Sequence, residues 1–134
     1  MEYKSKWGTV ENVELEINSY SNNSSLFMEL WDTGGEDPEA YGNITVNLGD
    51  EIPAYCAYVD TNNMPEMEQF ITENGLGVFT GLTKRSGFCE YPLYLFDTDK
   101  LRELCPEGLA EYEKAKGIEA EKDEPEKDEP ERSR

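Results

Sequence analysis

The chain has 134 residues, with 30 acidic and 12 basic side chains and a formal net charge of −18. That length can bury the core of one domain without metals or disulfides, and the charge disfavours direct binding to nucleic acid or to anionic membranes. Because the chain has no histidine, it lacks the commonest general base and metal ligand, so we expect no catalytic residue, no metal site and no cofactor.

The first half of the chain predicts three strands. Residues 13–17 and 44–48 alternate apolar and polar side chains, which is typical of strands with one face towards the core. Residues 26–31 are also expected to form a strand, with Leu26, Met28 and Leu30 on one face and Phe27, Glu29 and Trp31 on the other. In the strand over residues 44–48, Thr45 is expected on the outer face. Residues 32–38 are rich in Gly, Asp and Pro and predict a turn. Together the segments favour an antiparallel meander with one solvated face.

The second half predicts further strands and two helices. The strands are expected over residues 54–59, 78–83 and 91–96. One helix begins near Pro65 and ends at Gly75, and another is capped by Asp97 or Thr98 and divided near Pro106 and Gly108. Residues 84–87 are expected to form a turn. The sequence therefore predicts an α+β fold, with a mainly antiparallel sheet of four to six strands and two helices packed on one face.

Composition divides the chain into a single acidic α+β domain over residues 1–116 and a charged tail over residues 117–134. The tail repeats Glu-Lys-Asp-Glu-Pro and is almost without apolar residues, so we expect it to be disordered. Cys56, Cys89 and Cys105 form no CxxC pattern and are expected to be free thiols. With no secretion signal and no membrane-spanning run, the expected location is the cytoplasm.

The acidic residues are concentrated in one stretch. From Trp7 to Thr83 the chain has no lysine or arginine but has 14 acids. Neighbouring carboxylates without basic partners repel one another, which a protein tolerates where a cationic partner uses the surface. We expect a docking face for a basic protein, formed by Glu14, Glu16, Glu29, Asp32, Glu36 and Asp37. The alternative interpretation is a solvated surface that promotes solubility.

Trp31 has two possible places in this arrangement. It belongs either to the core or, if it shares a face with Glu29, to an exposed anchor among acids, a composition typical of binding hot spots.

Three parts of the chain carry a family resemblance: Lys4-Ser5-Lys6-Trp7-Gly8-Thr9-Val10-Glu11-Asn12-Val13-Glu14-Leu15; Val46-Asn47-Leu48-Gly49-Asp50 with Tyr55-Cys56-Ala57-Tyr58-Val59-Asp60; and Ser86-Gly87-Phe88-Cys89 with Tyr91-Pro92-Leu93-Tyr94. They resemble a family of small acidic proteins of unknown function encoded on bacterial conjugative elements. The resemblance implies a mobile-element context, in which acidic proteins that mimic DNA blunt host restriction or CRISPR systems. It implies no catalytic or binding residues.

The leading hypothesis is a non-enzymatic interaction protein that mimics DNA and inhibits a nucleic-acid-binding defence enzyme of the host. Its rigidly spaced carboxylates would compete with phosphates for the Lys and Arg side chains of that enzyme. The second hypothesis is a structural or accessory protein of a mobile element with no inhibitory role. A third, a histidine-free enzyme that uses paired carboxylates, requires a cleft with converging acids.

Overall fold

A computed structural model describes residues 1–20 and 23–118 of the chain. The expected disordered tail lies outside the described residues, apart from Gly117 and Ile118. Gly117 ends the last helix with a left-handed backbone (φ 82°), and Ile118 packs against the core.

The described residues form nine strands and three helices. In chain order these are β1 Tyr3–Ser5, β2 Gly8–Val10, β3 Val13–Ser19, β4 Leu26–Asp32, β5 Glu39–Asn43, β6 Thr45–Val46, β7 Cys56–Val59, α1 Met67–Glu73, β8 Gly77–Ser86, β9 Cys89–Phe96, α2 Thr98–Leu104 and α3 Pro106–Lys116. The strands form three antiparallel sheets, with the orders β1-β2, β3-β4-β5 and β6-β7-β9-β8.

The α+β class is confirmed, but the prediction of one sheet with two helices is wrong. The chain crosses between the larger sheets at Ile44, whose N–H donates to Met28 O (2.9 Å) and whose carbonyl accepts from Asp60 N (2.9 Å). The strand that pairs with β4 is therefore β5, which comes before the predicted third strand. Thr45 is buried rather than outward, and its Oγ1 accepts a hydrogen bond from Met28 N at 3.2 Å.

The helices form where the sequence signals place them. The Asp97 side chain accepts a hydrogen bond from Lys100 N and caps α2. Cys105 then adopts an extended backbone, and Pro106 starts α3 at a position where its missing N–H costs no helical hydrogen bond. The predicted division of the final helix is therefore confirmed, and it produces the third helix.

The predicted turn over residues 84–87 is partly wrong. Lys84 and Arg85 lie within β8, where they pair with Tyr91 and Glu90, and the turn follows at Gly87, which has φ 64°. The hairpin is thus longer than the alternation suggested, because the apolar pattern of β8 fades before its pairing with β9 ends. The short β1–β2 hairpin was not predicted.

The main core lies between the sheets and the helices. Val13, Leu15 and Ile17 of β3 point into it, together with buried side chains of β4 and all three helices. Helix α3 lies directly against β3, and a Cβ atom built on Gly108 would come within 2.3 Å of Ile17 O. This close packing fixes the inner face of β3, so its alternate residues face solvent.

Candidate functional site

The outer face of the β3-β4-β5 sheet carries three of the predicted site residues. Strands β3 and β4 pair so that Glu14 is opposite Trp31 and Glu16 is opposite Glu29. Glu14 and Glu16 are exposed and Glu29 is half-buried, while the residues between them on β3 face the core. We call Glu14, Glu16, Glu29 and Trp31 the outer acidic face. Because β3 and β4 are paired, Glu29 lies beside the two glutamates of β3.

Trp31 lies on the same side of the sheet as Glu29, half-buried, with its Nε1–H donating to Glu29 Oε1 at 3.0 Å. Trp31 therefore shares a face with Glu29 and does not belong to the core. A second bond, from Thr33 Oγ1 to Glu14 Oε2, is longer at 3.4 Å. These side chains surround an open cavity of ≈ 350 Å³, lined by Glu14, Leu15, Glu16, Trp31, Thr33 and Pro38.

The other three predicted site residues lie beside this face rather than on it. Asp32 pairs with the inward-facing Val13, and its Oδ1 accepts a hydrogen bond from Gly34 N at 3.0 Å, which shapes the turn that follows. Glu36 and Asp37 are exposed in that turn. The structure therefore groups Glu14, Glu16 and Glu29 on the sheet and leaves Asp32, Glu36 and Asp37 at the connection between β4 and β5.

Basic side chains neutralise acids elsewhere in the described residues. Their ion pairs are Lys4–Glu73 (3.5 Å), Lys84–Asp50 (3.3 Å), Lys100–Glu103 (3.9 Å) and Arg102–Glu113 (2.8 Å). None of these pairs, within residues 1–20 and 23–118, includes one of the six predicted site residues. The outer acidic face thus keeps its negative charge in the folded domain, although cations from outside the base-free stretch reach Glu73 and Asp50.

Tyrosine hydroxyls donate to four carboxylates, of which Asp50 and Glu113 also form the ion pairs given above. The pairs are Tyr3–Glu66 (3.4 Å), Tyr55–Glu113 (2.5 Å), Tyr58–Asp50 (2.9 Å) and Tyr94–Glu68 (2.6 Å). Burial is the largest cause that raises the pKa of each of these tyrosines, and the neighbouring carboxylate raises it further. The pKa of Tyr58 rises to about 12. Sequence reasoning missed these pairs because three of the four join residues more than twenty positions apart.

Glu113 is the most deeply buried acid of this group, with 2% of its surface exposed. Burial alone would raise the pKa of its carboxyl, but hydrogen bonds from Arg102 and Tyr55 outweigh burial and hold that pKa below its usual value. Arg102 donates from two nitrogens, to Oε1 at 3.2 Å and to Oε2 at 2.8 Å. This cluster links α2, α3 and the loop before β7, which is a structural role.

Two further properties bear on what the domain binds. In the described part of the chain, no group of three or more Cys, Asp or Glu side chains is arranged to hold a metal ion. No described helix has both the length and the apolar character needed to cross a membrane.

A family profile matches residues 14–116, which include the outer acidic face and all three helices. The chain belongs to the DUF4313 family. This family is described as a domain of unknown function, so membership assigns no role to any residue. The DUF4313 match begins at Glu14 within β3 and leaves out the β1–β2 hairpin. No curated protein and no solved structure matches the chain significantly.

Proposed function

We propose that this DUF4313 domain is an interaction protein whose outer acidic face binds a cationic protein surface. One observation carries the proposal: Glu16 and Glu29 are directly opposite each other on paired strands, with Glu14 on the same face, and no cation of the described residues pairs with them. Like charges directly opposite on a sheet destabilise it. A cationic partner removes this cost when it binds.

The partner class that we propose is a protein that binds nucleic acid, as a DNA mimic requires. Glu14 and Glu16 are two residues apart on β3, which separates them by roughly 6.6 Å. Phosphates follow one another along a nucleic-acid strand at a spacing of the same order. Because the sheet and α3 hold these strands rigidly, the carboxylates engage phosphate-binding Lys and Arg side chains without ordering a flexible chain.

Trp31 adds an apolar contact that a row of carboxylates lacks. Its indole is held by the hydrogen bond to Glu29, and it borders the ≈ 350 Å³ cavity. An arginine side chain that enters this cavity can stack on the indole and reach Glu14 or Glu16 with its guanidinium. Tryptophan and arginine are enriched among residues that dominate binding energy, so Trp31 supports a specific contact over non-specific attraction.

The proposed setting is a mobile genetic element within the bacterial cytoplasm. The three cysteines Cys56, Cys89 and Cys105 are free thiols, which suits a reducing compartment. The family resemblance described above supports the mobile element.

Affinity capture from a bacterial lysate tests the proposal. The wild-type chain is compared with the triple variant Glu14→Lys, Glu16→Lys, Glu29→Lys. Its matched control is Glu2→Lys, Glu51→Lys, Glu111→Lys, which makes the same change in net charge at exposed residues in separate parts of the chain. We expect the wild type and the control, but not the triple variant, to retain a nucleic-acid-binding enzyme at low salt.

Two outcomes contradict the proposal. If the triple variant retains the enzyme as well as the control does, the outer acidic face is not the binding surface. If the wild type retains structural proteins of a mobile element instead, the accessory role replaces inhibition as the function.

A further inference from the structure

The β8–β9 hairpin exposes most of the apolar surface of the described residues. Five of the six large hydrophobic side chains that are exposed in residues 1–20 and 23–118 belong to it: Val78, Phe79, Leu82, Phe88 and Leu95. We call these five residues the hairpin patch. Phe88 at the tip is fully exposed, with a relative accessibility of 102%. Val78 and Leu95 are directly opposite each other on one face of the sheet, Phe79 is opposite Tyr94 on the other face, and Phe88 lies at the tip. The exposed apolar side chains therefore follow the hairpin along its length, which marks it as an interaction surface.

Strand β8 is basic in an otherwise acidic molecule. Residues 74–89 contain Lys84 and Arg85 and no acid, in a chain whose net charge is −18, and Glu90 of β9 is directly opposite Arg85. The Lys84 ammonium pairs with Asp50, whereas Arg85 is exposed. The surface is therefore distinct from the outer acidic face both in chemistry and in the sheet that carries it.

A cavity lies at the other end of the same strand. It measures ≈ 620 Å³ and is bordered by Thr72, Gly75, Gly77, Val78, Leu95 and Asp97. Val78 and Leu95 supply an apolar wall, and the Asp97 carboxylate stands at its margin. The β8–β9 hairpin thus has an aromatic and a cation at its tip, and an apolar cavity and an anion at its base.

These two ends are complementary in a two-fold arrangement. Strand β8 is an edge strand of the β6-β7-β9-β8 sheet. When two such strands lie side by side in opposite directions, the tip of each reaches the base of the other. Phe88 comes two positions after Ser86, the last residue of β8, and Gly75 comes two positions before Gly77, its first. In such an arrangement, Phe88 of one copy is level with Gly75 of the other along the strand direction.

We propose that two copies of this chain form a two-fold dimer through the hairpin patch, in which Phe88 of each copy fills the cavity beside Gly75 and Gly77 of the other. Arg85 of each copy then lies near Asp97 of the other. Contacts between side chains carry the interface, because a bulge between Phe79 and Thr83 interrupts the edge of β8. The occupant that we propose is a second copy, because the exposed Phe88 and Arg85 of one copy can reach the apolar cavity wall and Asp97 of the other.

The dimer has a salt dependence opposite to that of the proposed complex with a cationic protein. Two chains of charge −18 repel each other at long range, and salt screens this repulsion while leaving apolar contact intact. Added salt therefore strengthens the dimer. Salt weakens attraction between the outer acidic face and a cationic protein, so the two associations can fail or succeed separately.

Light scattering and sedimentation of the full chain over a concentration series, at low and high salt, test the proposal. We expect a monomer–dimer equilibrium that shifts towards the dimer at high salt. Phe88→Ser should weaken the dimer at least about tenfold, as removal of an aromatic anchor buried in a pocket of the partner does. The matched control is Trp7→Ser, because Trp7 is also an exposed aromatic at a hairpin tip but lies outside the hairpin patch.

The remaining outcomes overturn the proposal. If the wild-type chain stays monomeric at every concentration and salt condition, the proposed dimer does not form. If Phe88→Ser dimerises as well as the wild type, Phe88 does not belong to the interface. Equal weakening by Phe88→Ser and Trp7→Ser shows non-specific association of exposed aromatics. Since both residues are exposed, neither change is expected to unfold the domain, and far-ultraviolet circular dichroism of each variant checks this.

Discussion

Individual side chains show how a chain without histidine and with few bases can fold while acidic. Four tyrosine hydroxyls donate to carboxylates, and Arg102 completes the bonding of the buried Glu113. At the outer acidic face, no tyrosine hydroxyl and no basic side chain of the described residues donates to Glu14, Glu16 or Glu29. The carboxylates that tyrosine and arginine side chains bind within the fold are therefore different residues from the carboxylates that remain available to a partner.

Removing one charge from the outer acidic face should stabilise the domain. Glu16 is opposite Glu29, so Glu16→Gln removes a like-charge pair while keeping the shape of the side chain. We expect the free energy of unfolding to rise by about 0.2–1 kcal/mol, measured by urea denaturation at low salt. The control Glu111→Gln, on the exposed side of α3, should change stability less. A destabilised Glu16→Gln chain would show that the pair is not repulsive.

The Tyr58–Asp50 bond predicts a loss of stability at alkaline pH. Burial and Asp50 raise the pKa of Tyr58 from 10.0 in the unfolded chain to about 12 in the folded one. A raised pKa contributes stability that is complete below the unfolded value and is lost as the pH rises through the folded value. Between about pH 10 and pH 12 this loss approaches about 2 kcal/mol.

The comparison that isolates this tyrosine uses Tyr58→Phe, which has no hydroxyl to titrate. Denaturant midpoints measured at intervals between pH 9 and about pH 12 should fall more steeply for the wild type than for Tyr58→Phe. Parallel curves would mean that lysines and the other tyrosines account for the whole alkaline transition.

Among the strands and helices, the local signals for β3, β4, α2 and α3 were reliable, whereas those for Thr45 and for the turn over residues 84–87 were not. The alternation of β3 and β4 placed Glu14, Glu16 and Glu29 on one face, and a capping aspartate and a proline placed α2 and α3. The crossing at Ile44 was not predictable, because it depends on hydrogen bonds to Met28 and Asp60, which are distant in sequence. The same holds for the tyrosine–carboxylate pairs.

The close contact between α3 and β3 predicts that a larger residue at Gly108 destabilises the domain. A Cβ atom on Gly108 would come within 2.3 Å of Ile17 O and 2.9 Å of Cys105 Sγ. Gly108→Ala must therefore push α3 away from β3, and we expect it to lower the free energy of unfolding by about 1–3 kcal/mol despite the better helix propensity of alanine.

The matched control for this substitution is Gly35→Ala, in the turn after β4. No atom lies within 4 Å of a Cβ atom built there, and the backbone is not in the left-handed region. We expect Gly35→Ala to be neutral or slightly stabilising. Urea denaturation of both variants provides the measurement, and a Gly108→Ala chain as stable as wild type would mean that α3 shifts without cost.

Across the whole molecule, charge and apolar surface are sorted onto different sheets. The β3-β4-β5 sheet carries the outer acidic face, and the β6-β7-β9-β8 sheet carries the hairpin patch and its two bases. The base-free stretch of the sequence predicted the first surface. The second was not predicted, because its apolar residues were assigned to strands of the core and the exposure of an edge strand depends on strand order.

This separation predicts that repulsion among the carboxylates of the outer acidic face lowers the stability of the domain at low salt. Self-repulsion in a chain of charge −18 destabilises the compact state and is screened by salt, so the melting temperature should rise from low to moderate salt. If the outer acidic face is the main source, the variant Glu14→Gln, Glu16→Gln, Glu29→Gln should show a smaller rise than the control Glu2→Gln, Glu51→Gln, Glu111→Gln. Both variants remove three charges, so net charge alone predicts equal rises. Differential scanning calorimetry at several salt concentrations separates the two cases, and equal rises would mean that the repulsion is spread over the whole surface rather than concentrated at the β3–β4 pairing.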